Sequence, residues 1–196
     1  QEPGHYIQPS FSTDGKQVTY QKFTGGYLLP SKWSVNPGIY VLDVKSKETK
    51  RVSKSGSWPH FAGDNERVYF TARVPGTDYP EQQLVSVDLN GEDKREHLYG
   101  ADKVQEYRLS HDKKWIAFVE QYNVYVAPFA DLGKRQTINT RSKALPIKKL
   151  SSRAGEYLNW SADNKTVSWF HGPRFFERDL KDAFDFIEGA PEELPE

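Results

Sequence analysis

The chain of 196 residues contains no cysteine, which excludes disulfides, thiol chemistry and any zinc site with sulfur ligands. It contains no methionine, not even at its start, so the sequence is expected to begin after a processing event or to be a piece of something longer. It carries no net charge, because 27 basic residues balance 27 acidic ones. That argues against nucleic acid as a partner, which asks for a net basic face, although overall balance does not exclude local patches. No apolar run approaches the roughly twenty residues of a membrane span, and no signal peptide is expected to remain in a chain that begins after processing.

Aromatic residues, by contrast, are plentiful: 11 Phe, 11 Tyr and 5 Trp. They stand with β-branched residues in short runs, a composition that suits strands better than helices. Four of these stretches are near-copies. They run from Phe11 to Tyr20 (FSTDGKQVTY), Phe61 to Phe70 (FAGDNERVYF), Leu109 to Phe118 (LSHDKKWIAF) and Trp160 to Trp169 (WSADNKTVSW). Their aspartates, Asp14, Asp64, Asp112 and Asp163, are 50, 48 and 51 residues apart. A four-stranded sheet with its turns takes roughly this much chain, so the spacing predicts an all-β fold, a β-propeller with one four-stranded antiparallel blade per repeat. The blades are expected at 5–56, 57–105, 106–155 and 156–188, with 189–196 as a linker toward a downstream domain.

Within each repeat an apolar strand reaches a tight turn at the Asp, and an alternating strand follows. Asp14-Gly15 is the clearest turn, because Gly accepts positive φ at little cost, and Asp64-Asn65 and Asp163-Asn164 are weaker versions. The turn aspartates read as structural, and Ser110 and Ser161 beside them as serines bonded to backbone. Third strands fall at 39–44, 84–89 and 124–129, and basic outer strands near 50–52, 95–98 and 147–150, where charge protects sheet edges. The fourth repeat stops after its third strand, with a short helical or irregular stretch at 181–187 and no outer strand. Residues 5–11 already serve as the inner strand of the first repeat and are not free to complete the fourth. The chain therefore reads as part of a larger propeller.

The repeat motif, aromatic-Ser-x-Asp-Gly/Asn-Lys-x-Val/Ile-x-aromatic, resembles the TolB-type, WD40-like propeller repeat from Pro9 to about Leu180. Such repeats also occur in prolyl-oligopeptidase-type peptidases and ahead of some amidohydrolases. The final stretch, with Trp160, Trp169, His171-Gly172-Pro173, Arg178-Asp179-Leu180 and Pro191 to Pro195, resembles the last propeller segment of exported bacterial amidohydrolases. That resemblance implies a periplasmic or secreted protein whose divalent metal, HxH pair and catalytic Asp would follow Glu196. It implies that this chain is a non-catalytic scaffold or access module, partnered by its own downstream hydrolase domain. A stand-alone TolB-like module that binds a protein partner is the alternative, and the propeller of a serine peptidase is a third.

No catalytic set, metal motif or cofactor-binding motif is visible in the chain. The five histidines form neither HxH nor HExxH, and no G-x-S-x-G elbow is present. His97, on an outer strand, and His111, in a turn, are both expected to face solvent. The binding candidates come from register. Ser10, His60, Arg108 and Asn159 each immediately precede the large apolar residue of a repeat, on the strand expected to face the channel. They either cluster as a site or are simply solvated. His171, in the loop after the second strand of repeat four, is a further candidate. Tyr27, Trp33 and Tyr79, in variable loops, offer a sugar or peptide platform or cap the blade ends. The long insert from Ala130 to Pro146 reads either as a functional insertion or as ordinary loop drift.

Overall fold

A computed structural model describes residues 4–23, 35–77, 81–100, 103–141 and 145–195. Alternating apolar residues and tight turns fold them into four antiparallel sheets. The first sheet is β1 (His5–Phe11), β2 (Gln17–Phe23), β3 (Gly38–Asp43) and β4 (Thr49–Ser53), paired in chain order. The second has β5 (Ser57–Phe61), β6 (Arg67–Arg73), β7 (Gln82–Asp88) and β8 (Arg95–Gly100). The third has β9 (Val104–Leu109), β10 (Trp115–Glu120), β11 (Asn123–Pro128) and, after β12 (Gln136–Ile138), β13 (Lys148–Ala154). The fourth has three strands, β14 (Glu156–Trp160), β15 (Thr166–His171) and β16 (Arg174–Asp179). These are four blades of a propeller, with β1, β5, β9 and β14 innermost and each in contact with the next.

The hydrophobic core lies between blades. Phe61, Val68 and Phe70 pack with Ile39 and Val52 across the first boundary, Leu84 and Leu98 with Leu109 and Phe118 across the second, and Val124 and Leu150 with Trp160 and Trp169 across the third. Side chains as enclosed as Leu84 or Phe118 contribute about 1.5–3 kcal/mol each by leaving water. No blade can bury both faces alone, which is why the repeats stack.

The repeat aspartates organise turns. Ser12, Ser110 and Ser161 each donate their hydroxyl to the Asp two residues on, at 2.6–2.7 Å. The same hydroxyls accept the backbone N–H of Gln17, Trp115 and Thr166. Asn65 and Asn164 hold the left-handed turn position at φ 64° and 61°. They do more than fit the turn: Asn65 Oδ1 accepts the Thr13 N–H and Asn164 Oδ1 accepts the His111 N–H, each fastening its turn to that of the preceding blade.

The insert after β11 is part of the fold. Its strand β12 pairs in parallel with β8, Gln136 opposite Leu98 and Ile138 opposite Gly100, and becomes the fifth strand of the second sheet. This corrects the expectation that His97 faces solvent. His97 is 4% exposed, its Nε2 2.8 Å from Ser86 Oγ, its ring against Tyr69 and Phe129 and its Nδ1 near Asp131. The segment that leaves blade 3 covers what would otherwise be an outer strand. His111 also departs from expectation: it is half-buried beneath the Asn164 turn.

The fourth blade ends differently. After β16 the chain turns through a short 3₁₀ helix, Leu180–Asp182, and buries Leu180, Ala183 and Phe184 beside Trp115. No strand among the described residues pairs with the outer edge of β16. Because Ile138 is fully enclosed in the core between blades 2 and 3, Ile138→Ala is expected to destabilise the protein by about 2–4 kcal/mol. Denaturant unfolding checks this, and a loss below about 0.5 kcal/mol, typical of surface sites, would mean that the insert is not packed on blade 2.

Candidate functional site

The inner strands are irregular at one recurring place. Pairing slips between Ile7 and Ser10, between Ser57 and His60, and between Glu156 and Asn159. At each slip one residue adopts positive φ: Gln8 at 54°, Trp58 at 55° and Tyr157 at 58°. These bulges sit three residues before the large apolar residue of the repeat, and they lift local N–H groups out of the ladder. Neighbouring blades supply the acceptors. Gln8 Oε1 takes the Trp58 N–H at 2.7 Å, and Glu106 Oε2 and Oε1 take the N–H groups of Tyr157 and Leu158 at 3.0 and 2.9 Å. Gln8, Trp58, Glu106 and Tyr157 are equivalent positions, and the aromatic pair meets edge-on with ring centroids 5.2 Å apart.

Glu106 is buried, and burial pushes its carboxyl up to about 7, against the pull of Arg108 and the two N–H groups. Arg108 donates from Nε to the Leu158 carbonyl at 2.9 Å and from Nη1 to the Pro59 carbonyl at 3.4 Å. It therefore ties blade 3 to the inner strands of blades 2 and 4.

Ser10, Arg108 and Asn159 line one cavity of about 490 Å³, together with Phe11, His111 and Trp160. The fourth register-equivalent residue, His60, is not among the lining residues. It is buried, its Nδ1 donates to the Trp58 carbonyl at 3.0 Å, and its Nε2 accepts the Leu109 N–H at 3.1 Å. A backbone N–H can only donate, which fixes this tautomer. His171 is half-buried between two other clefts. One, of about 830 Å³, is walled by Arg153, Trp169, Phe176 and Arg178; the other, of about 380 Å³, by Trp58, Glu106 and Tyr122. Tyr27, Trp33 and Tyr79 lie outside the described residues. Among the described residues no three His, Asp or Glu side chains gather as a metal site.

Register reasoning reached Ser10, Arg108 and Asn159 but missed His111, Gln8 and Glu106. Counting back three residues from each apolar anchor finds Gln8 and Glu106 as two amide-or-acid side chains alternating with two aromatics. His111 carries no such signal, because it enters the cavity from a turn.

Burial and the charge of Arg108 hold the His60 ring well below its ordinary pKa. A base depressed in this way contributes stability above the unfolded value near 6.5, and that stability is lost as pH falls toward the folded value. His97 and His111, also lowered by burial, act in the same sense, while Glu106, raised, acts oppositely. Unfolding free energy is therefore expected to fall between about pH 7 and pH 5.5. His60→Gln should be less stable at neutral pH by about 2–4 kcal/mol, yet lose less on acidification. Parallel pH profiles for the two proteins would contradict this assignment.

No family model matches the chain, and no curated protein matches it. Solved structures do match. TolB from Acinetobacter baumannii aligns with TM-score 0.63 at 19% identity, over 92% of this chain and 42% of that one. A gluconolactonase from Xanthomonas campestris aligns with TM-score 0.63 at 14% identity, over 89% and 56%. The β-propeller domain of the Trilobed protease from Pyrococcus furiosus, described as having an open velcro topology, aligns with TM-score 0.53 at 10% identity, over 86% and 48%. The chain thus spans between two fifths and three fifths of the length of these structures. Identities this low speak to architecture alone, and that architecture is a TolB-like β-propeller of four antiparallel blades.

Proposed function

We propose that the chain is the non-catalytic propeller region of an exported, metal-dependent amidohydrolase, where it acts as scaffold and controls access of substrate or partner to a site held elsewhere in the protein. One observation carries the access role. Residues from three blades and from a turn converge on a single polar cavity at the inner strands, so a ligand there touches blades 1, 3 and 4 at once. Pockets assembled between elements in this way are common ligand sites. The hydrolase assignment rests on the resemblance of the stretch from Trp160 to Pro195. Ligands for the divalent metal it implies do not come together among the described residues, so no catalytic step is assigned to them.

A second reading, a periplasmic TolB-like module that binds a protein, is favoured by exposed aromatics. Tyr122 and Phe170, which line the cleft with Trp58 and Glu106, and Tyr157, which packs against the Trp58 ring, are all more than two fifths exposed. Aromatic residues gathered in the open are typical of protein-binding surfaces.

Metal analysis and amide hydrolysis by the native full-length gene product separate the two readings. Stoichiometric divalent metal together with hydrolysis supports the amidohydrolase reading. A metal-free, inactive product that retains a protein partner, and releases it on Tyr122→Ser with Tyr157→Ser, supports the interaction module.

A further inference from the structure

The inner-strand cavity holds one cation, and that cation is not fully used. Arg108 spends Nε and Nη1 on the Leu158 and Pro59 carbonyls, while Nη2 has no hydrogen-bond partner among the described residues. Among the described residues that line the cavity, Arg108 is the only lysine, arginine, aspartate or glutamate. Among the described residues its close counter-charge is Glu106, which sits on the same strand and is already bonded to two backbone N–H groups. A second observation is independent of the first. His111 lines the same cavity, and its buried Nδ1 makes no well-formed hydrogen bond, although the Trp160 carbonyl lies close to the ring. A buried ring nitrogen without a good hydrogen bond is costly unless something bonds it. The Ser10 hydroxyl and the Asn159 amide also line the cavity and make no hydrogen bond to described residues.

We infer that this cavity is a carboxylate-binding site, with Arg108 Nη2 as the charged anchor and His111, Ser10 and Asn159 as the surrounding polar contacts. One guanidinium matches one negative charge, which favours a carboxylate over a doubly charged phosphate. Phe11, 64% exposed, and Pro9 form an apolar wall beside these groups. The ligand is therefore a carboxylate attached to an apolar body, such as the C-terminal residue of a peptide or an acidic side chain. This rests on the reading of the propeller as an access and binding module and names the chemistry that the module recognises.

The test compares N-acetyl-leucine, N-acetyl-leucinamide and the α-amide of N-acetyl-aspartate, whose side-chain carboxylate is free, titrated into the protein and followed by calorimetry or amide NMR shifts. N-acetyl-leucine is expected to bind at least about tenfold more tightly than its amide, the scale of one charge-assisted hydrogen-bond pair. If the aspartate derivative binds more tightly than N-acetyl-leucine, the natural source is a side chain; the reverse order indicates a chain terminus. Arg108→Lys keeps the charge and loses the fork, so carboxylate binding should weaken. That arginine also braces three blades, so a second variant guards against misfolding. Asn159 is exposed, and Asn159→Asp brings a negative charge to the cavity without disturbing the core. It should weaken carboxylate binding at least about tenfold, and more than it weakens amide binding, while leaving thermal stability unchanged. Equal affinity for acid and amide, no binding of either, or undiminished binding by Asn159→Asp overturns the site. Metal and hydrolysis in the full-length product would leave the access reading standing even then.

Discussion

The structure depends on how the bulged inner strands keep their backbone bonded. Each bulge turns one residue to positive φ, a conformation that costs a non-glycine residue about 1–2 kcal/mol, and draws an N–H away from its own ladder. In two of the three cases the missing acceptor comes from the preceding blade, as Gln8 for Trp58 and Glu106 for Tyr157. The bulge and the inter-blade bond are therefore one device. Without the acceptor, a buried donor would be left unpaired; without the bulge, the acceptor would have nothing to reach.

The same device explains why so much polarity lies near the centre of an otherwise apolar stack. Blades 3 and 4 are joined by a carboxylate held between two N–H groups, by the Arg108 bond to Leu158, and by the Trp160 indole donating to the Arg108 carbonyl at 2.9 Å. Blades 2 and 3 are joined by His60, again through a side chain that accepts an N–H of the next inner strand. Hydrophobic cores between blades supply most of the stabilisation, but they are non-directional. The polar bonds set the rotation of each blade against its neighbour, and so decide which side chains reach the cavity.

Much of this was legible in the sequence, and the reasons differ by level. Blade number and strand order could be read because turns demand particular residues: an Asp bonded to its own Ser, with Gly or Asn at the left-handed position. Cavity residues were legible as far as repeat register carries, which found Ser10, Arg108 and Asn159. Register cannot tell which way a side chain points once a bulge has intervened, and His60, one residue before its anchor like the others, turns into the core to serve Leu109. The burial of His97 was hidden for another reason. Its cover comes from the insert of the following repeat, paired in parallel, and a three-residue strand leaves almost no periodic signal.

The parallel clasp of β12 on β8 bears on how the chain is made. Repeat arrays usually close one unit at a time, each sealed by its neighbour. Here the edge of blade 2 waits for a strand roughly forty residues further along. At about 5–20 residues per second of synthesis, β8 emerges seconds before its cover exists. In that interval its hydrogen-bonding edge and the pocket of His97 stand open, and blade 2 is finished only after most of blade 3 has been synthesised. The two blades share a birth order that neither repeat alone would impose.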